Sequence, residues 1–406
     1  MRRALVTASA LLLAAGCKKD PAPAPPTPSA SASPAACAAP SVSAAPADPA
    51  PKAGDSAGVV RVPVQVGVGE ELGYSVATHG ERVAVSAFKR KGKTEESRPG
   101  SVFVFKASSG RLEQEAELAV DGSHQLGNAI QLDGTTLLAG ALYDAGKSPE
   151  TGAAYAFSLG EKGWSKGEKL SASDAKKDDS FGIGVALAGQ GVVVGNSREE
   201  GGALYAFERG KTGLALKQTL PFRHSNGPAE VVAASGDVLV VGAPYSGKLS
   251  EQGVVVVFRR DKVGFKPVAD LLETEAAESQ HFGSTVAVAG ATLVATSEKQ
   301  ISVYTESDGA WRESARFVPP VTTGLADAAL ALAGDRLAVG FHLVEAGRVL
   351  LYRKQGQSWV LERTVTAPDG KNEDWFGHTV ALSEKRLVVG APLAGERTGA
   401  AYVLEL

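Results

Sequence analysis

The chain repeats itself. FGHTVALSEKRLVVGAP at 376–392 has close copies in FGIGVALAGQGVVVGNS at 181–197 and FGSTVAVAGATLVATS at 282–297. Aligned on the Gly after Phe and on the residue thirteen later, seven anchor pairs emerge: Gly73/Ser86, Gly127/Gly140, Gly182/Gly195, Ala229/Gly242, Gly283/Thr296, Asp327/Gly340 and Gly377/Gly390. Successive first anchors lie 54, 55, 47, 54, 44 and 50 residues apart. A period near fifty is longer than most helical solenoid repeats and suits a four-stranded propeller blade.

Each copy carries the same punctuation. A first strand of alternating type, as in Val185-Ala186-Leu187, leads through a short turn to a Val-rich second strand, as in Leu387-Val388-Val389-Gly390. A polar loop of variable length then ends at a Gly that opens a third strand: GAAYAF at 152–157, GALYAF at 202–207, GVVVVF at 253–258, GAAYVL at 399–404. A fourth strand follows, often opened by an aromatic such as Trp164, Phe265, Trp311 or Trp359. Short β-branched and aromatic runs between Gly-rich turns are strand signals, and no stretch has a helical period. Blades converge at a propeller's centre, so slim residues belong on the first strands, as at Ala186, Ala287, Ala331 and Ala381. Larger rings such as Phe157, Phe207 and Phe258 belong farther out, where blades diverge.

The expected fold is therefore all-β: a seven-bladed β-propeller of four-stranded blades spanning residues 58–406. Ring closure follows from counting. There are seven first-second-third sets, but only six fourth strands follow them, and the seventh set ends with Leu406. The segment VVRVPVQV at 59–66 precedes the first set and has no other home. Val60, Val62, Val64 and Val66 alternate there with Arg61, Pro63 and Gln65, a half-buried strand pattern. Pro63 suits an edge strand. This N-terminal strand is predicted to complete the last blade.

The Phe-Gly…Gly-Ala-Pro pattern resembles the FG-GAP repeats of integrin α-subunit propellers, and more closely their bacterial relatives with Gly-Ala-Ala-Tyr strands. The resemblance covers roughly residues 59–406. It departs at Leu72-Gly73, Leu126-Gly127, Pro228-Ala229 and Ala326-Asp327, where the Phe-Gly pair is altered. Integrin-type repeats often hold calcium between the first two strands through several acids. Calcium needs six to eight oxygens, and the first-hairpin turns are too short and acid-poor. Ala333-Gly334-Asp335-Arg336, the richest, has one carboxylate. No metal is expected there.

Residues 1–17, MRRALVTASALLLAAGC, place two arginines before an apolar run too short to span a bilayer, then small residues and a Cys. This ending resembles a bacterial lipobox, with Ala14 where Leu is usual. The resemblance implies a signal peptide at 1–16 and lipid attachment at Cys17. Residues 17–57 then hold ten prolines between Pro21 and Pro51, mixed with Ala and Ser, and read as a semi-stiff tether. Cys37 lies within it. With two Cys in all, no disulfide framework is available. The expected location is the bacterial cell envelope, held to a membrane through the N-terminal lipid.

Catalytic motifs are missing. There is no Gly-x-Ser-x-Gly elbow and no His-Glu-x-x-His. Gly-Lys-Thr at 92–94 and 210–212 lacks the first glycine of a phosphate loop. A formal net charge of −3 offers no electrostatic reason for a nucleic-acid partner. The expectation is a non-enzymatic binding or scaffolding protein, without cofactor, whose partner is a protein or a polysaccharide. The alternative is an enzyme or carbohydrate-processing protein with its site at the mouth of the central channel. Second-to-third-strand loops and blade-to-blade loops share one face and are the longest, for instance Lys89–Pro99 and Tyr143–Thr151. Recognition is expected on that face. Its candidate residues are Asp174 and Asp369, in acidic blade-to-blade loops, and Trp375, the one large aromatic read onto it.

Overall fold

The computed structural model describes residues 54–92, 98–108, 110–144, 151–197, 201–221, 231–275, 277–321 and 324–406. Cys17, Cys37 and the tether up to residue 53 lie outside them, as does the anchor position Ala229.

The described strands form seven antiparallel sheets, each a blade. Blade 3 is representative: Gly184–Ala188, Gly191–Gly195, Ala203–Arg209 and Leu214–Pro221 pair in sequence order. Each first strand contacts the first strands of the blades before and after it, and Leu72–His79 of blade 1 contacts Thr379–Leu382 of blade 7. The seven first strands therefore close a ring. In six blades two residues join the first and second strands. The leading one is a glycine (Gly80, Gly134, Gly189, Gly236, Gly290, Gly334) with φ from 49° to 58°. Glycine at the first central position of a two-residue hairpin is the II′ arrangement, whose twist matches that of the strands.

The core is divided among the blade interfaces. Seven apolar clusters occur, one between each pair of neighbouring blades. Third-strand rings face the preceding blade: Phe157 packs with blade 1, Phe207 with blade 2 and Phe258 with blade 3. A blade has two faces to bury, and only its neighbours can cover them. In five blades the ladder between third and fourth strands slips by one residue just before the ring at Phe105, Phe207, Phe258, Tyr304 or Tyr352. A bulge of this kind raises the local twist.

The repeat motif marks the contact between successive blades. Leu72, Leu126, Phe181, Phe282 and Phe376 are fully or almost fully buried. Each makes a parallel bridge to the glycine opening the previous blade's third strand: Gly399, Gly100, Gly152, Gly253 and Gly347. The following glycine then meets the second-strand glycine of the previous blade. A Cβ on Gly140, Gly242, Gly340 or Gly390 would stand 2.0–2.2 Å from the carbonyl oxygen of Gly182, Gly283, Gly377 or Gly73. Where the second-strand glycine becomes Thr296, the next blade carries Asp327 in place of its glycine, and the Thr296 hydroxyl accepts the Thr285 N–H at 3.0 Å. At this junction both sides of the contact change together, whereas at Ser86–Gly127 only the second-strand side departs from glycine.

The N-terminal strand closes the ring as expected. Val59–Arg61 pairs antiparallel with Ala400–Glu405 as the outer strand of blade 7. It is shorter than the eight residues read from the alternation. The ladder ends after the Val62 N–H, which donates to the Ala401 carbonyl at 2.8 Å, because Pro63 has no N–H to continue it. Val62 is buried, with Val64 and Val66 packed beside it between blades 7 and 1. Val60 departs from the pattern and is 46% exposed, on the rim where blades 7 and 1 diverge. Contacts also begin before residue 58. The Asp55 N–H donates to the Thr364 carbonyl at 2.8 Å and its carboxylate pairs with Arg363 at 2.9 Å, so the segment grips blade 6 as well as blade 7.

Candidate functional site: the loop face

Antiparallel pairing puts second-to-third loops and blade-to-blade loops on one face and the hairpin turns on the other. Exposed large apolar side chains separate accordingly. Among the described residues, Val68, Tyr143, Tyr245, Leu249, Leu272, Val318 and Leu343 lie in loops of the first face, and Val263 alone lies on the second. Val60, Val268 and Val360 sit on outer strands. The turn face carries ion pairs such as Lys106–Glu81 and Lys266–Asp261.

Tyr143 and Tyr245, 50% and 47% exposed, correct the reading of Trp375 as the one large aromatic of this face. Each stands three residues after a second-strand glycine, Gly140 or Gly242, where the strand has ended and the side chain turns outward. That shared offset was a signal present in the repeat.

Asp174 and Asp369 have work inside the blade-to-blade loops. The Tyr205 hydroxyl donates to Asp174 at 2.8 Å and the Tyr402 hydroxyl to Asp369 at 2.7 Å. The Gly-Ala-x-Tyr third strand is thus tied to the loop that enters its own blade. In blade 2 the hydroxyl of Tyr155 bonds instead to Asp144, in the loop between that blade's second and third strands. Burial opposes ionisation of Asp369, but the Tyr402 hydroxyl and the Arg61 guanidinium outweigh it and hold the carboxyl below its ordinary range. Burial, then the facing carboxylate, pushes the Tyr155 and Tyr402 hydroxyls up. The neighbouring acids close turns. Asp179 accepts the Lys176 N–H at 2.7 Å and Asp374 accepts the Lys371 N–H at 2.8 Å. In each case the Asp N–H also returns a bond to the same Lys carbonyl, at 3.3 Å and 3.2 Å, so side chain and backbone close the turn together. Among the described residues no three His, Cys, Asp or Glu side chains converge to hold a metal ion.

Trp375 lies in a different setting. The residue before each buried Leu or Phe of the motif is left-handed: Glu71, Gln125, Ser180, His281 and Trp375 have φ from 47° to 63°. The half-buried Trp375 ring meets His342 at 5.0 Å and His378 at 5.5 Å. His378 also meets His342 at 5.1 Å and Tyr74 at 5.2 Å, and Tyr74 leans on Phe88 at 3.9 Å. The cluster joins the loops of blades 6, 7 and 1 at the tops of their first strands. Pairs of ring and imidazole recur at Tyr143–His124 (6.3 Å) and Tyr245–His281 (5.3 Å). Such pairs combine an apolar surface with a hydrogen-bonding edge.

Below this face the first strands of blades 4, 5 and 6 are apolar or small: Val232-Ala233-Ala234, Val286-Ala287-Val288 and Ala329–Ala333 bear no acid, base or imidazole, whereas those of blades 1 and 2 carry Tyr74, His79, Asn128, Gln131 and Asp133.

Comparison with known proteins agrees with this architecture. The FG-GAP repeat family model matches residues 164–207 and 359–404, and the chain carries FG-GAP repeats. No curated protein matches the sequence. Among solved structures, Sqt1 from Chaetomium thermophilum is similar at 16% identity and TM-score 0.51, over 80% of each chain. A Bacteroides uniformis protein provisionally named a 6-phosphogluconolactonase is similar at 10% identity and TM-score 0.51, over 73% of this chain and 86% of that one. A Lactobacillus plantarum protein matches at 11% identity and TM-score 0.50, over 73% and 86%. At these identities the likeness concerns the fold alone.

Proposed function

We propose that this FG-GAP propeller is a non-enzymatic binding or scaffolding lipoprotein of the bacterial cell envelope, and that its loop face receives a protein or polysaccharide partner. The observation that carries the proposal is the segregation of exposed apolar side chains onto that face. Loops on a rigid scaffold are where recognition concentrates, and exposed large apolar side chains on them offer a partner its anchors.

The test is a pull-down of envelope material on the immobilised full chain. Tyr143→Ser, Tyr245→Ser and Leu343→Ser combined should lower capture of a specific component about tenfold or more, the loss of one or two interface anchors. Val263→Ser, on the opposite face, should leave it unchanged. Equal capture by both variants would exclude the loop face.

The anchor rests on the lipobox-like ending at Cys17. Two or three acyl chains are needed for stable attachment, since one binds a bilayer only marginally. Cys17→Ser should abolish fatty-acid labelling and leave an unlipidated precursor. A variant that still labels would refute lipidation at Cys17.

A further inference from the structure

His281 occupies the left-handed position before Phe282, with φ 51°. Its backbone is tied to the second-to-third loop of blade 4, since the His281 N–H donates to the Glu251 carbonyl at 3.0 Å and the Phe282 N–H to the Gln252 carbonyl at 3.1 Å. Its side chain spans two blades. Nδ1 is 3.0 Å from a carboxylate oxygen of Glu298, just past the second strand of blade 5. Nε2 is 3.2 Å from a carboxylate oxygen of Glu251, in the blade 4 loop. The Tyr245 ring, from the same loop, meets the imidazole edge at 5.3 Å.

A neutral imidazole has one N–H and one lone pair. It can serve one of these carboxylates, and its lone pair must then face the other. Only the imidazolium donates to both. We infer that His281 is a proton-operated latch: protonated, it bridges Glu298 of blade 5 to Glu251 in the blade 4 loop that presents Tyr245 and Leu249, and on losing its proton it gives up one carboxylate, which breaks the bridge and loosens that loop. As regulation of partner contact, the latch rests on the proposed role of the loop face.

The charged groups facing the ring are Glu251 from blade 4 and Glu298 from blade 5. Within its own loop Glu273 is turned inward to the Ser297 hydroxyl, and the Gln280 side chain accepts the Ala277 N–H. Burial favours the neutral ring, but the two carboxylates outweigh it and raise the pKa above the usual histidine value. The sign follows. A raised folded pKa gives stabilisation that is complete below the unfolded value, about 6.5, and is lost as pH rises through the folded value. The latch is therefore closed in mild acid and open in mild base. Of the five residues in this left-handed position, His281 alone titrates near neutrality.

The experiment follows the six imidazole resonances of the full chain from about pH 5 to about pH 9, with His281→Gln assigning the signal. The expected midpoint for His281 lies above the usual value and falls in both Glu251→Gln and Glu298→Gln. Amide protection factors across 245–252 should drop about threefold or more as pH passes that midpoint. In His281→Gln they should not respond to pH. A midpoint at or below the usual value, or protection that ignores pH in the unsubstituted chain, overturns the latch. No ligand is needed, so failure of the latch and failure of the loop-face reading are distinguishable.

Discussion

A chain that begins at Gly67 is expected to melt far below one that begins at Gly54, and to aggregate. The lost segment supplies the outer strand of blade 7, the buried Val62, and Arg61, which pairs with Asp369 at 2.7 Å. Burying one valine contributes roughly 2 kcal/mol and each ladder hydrogen bond about 1 kcal/mol. The total is on the order of 5 kcal/mol, a large share of a domain's net stability. Removal also bares the edge of Ala400–Glu405, which invites pairing between molecules. A third chain, beginning at Gly58, isolates the grip of Asp55 on blade 6. It should fall between the other two, about 1–2 kcal/mol below the longest. Thermal or denaturant melting of the three chains decides the matter, and coincident curves for Gly54 and Gly67 would show that the strand does not close the ring.

Gly390→Ala should be among the most damaging single substitutions, although the residue needs no unusual backbone angle. The added methyl would stand 2.0 Å from the Gly73 carbonyl oxygen, backbone against backbone, at the junction of blades 7 and 1. Relief requires moving a blade. The cost should reach or exceed the roughly 1–3 kcal/mol of ordinary overpacking. Gly80→Ala is the contrasting case. Gly80 has φ 57°, and a methyl there meets nothing within 4 Å. Its penalty is conformational only, about 1 kcal/mol. Denaturation midpoints should rank the two clearly. If Gly80→Ala proved the more harmful, close approach of the blades would not be what the motif glycine serves.

The pair also marks how far the sequence could be read. Both glycines were visible as punctuation, and so were the seven repeats, the four strands of each and the missing outer strand of the seventh. Their partners were not. Nothing local to Gly390 says that it touches Gly73, more than three hundred residues away, or that Phe376 bridges Gly347. Asp174 and Asp369 looked like free acids of a polar loop until Tyr205 and Tyr402 were found donating to them. Tyr143 opened a loop already read onto the recognition face and Tyr245 stands at the same offset, but only the strand ends in space show both rings turned outward.

By itself the sequence determined the strand count, the blade number and the need for a closing strand. These depend on the period of small, β-branched and turn residues, which the chain writes locally. The tertiary structure decided which polar residues are structural and which face is apolar. It also decided where the closing strand ends, at Pro63, and that it reaches back to blade 6. Those outcomes depend on which surfaces meet when each blade borrows its neighbours to bury both sides of its sheet, and spacing along the chain carries no record of that.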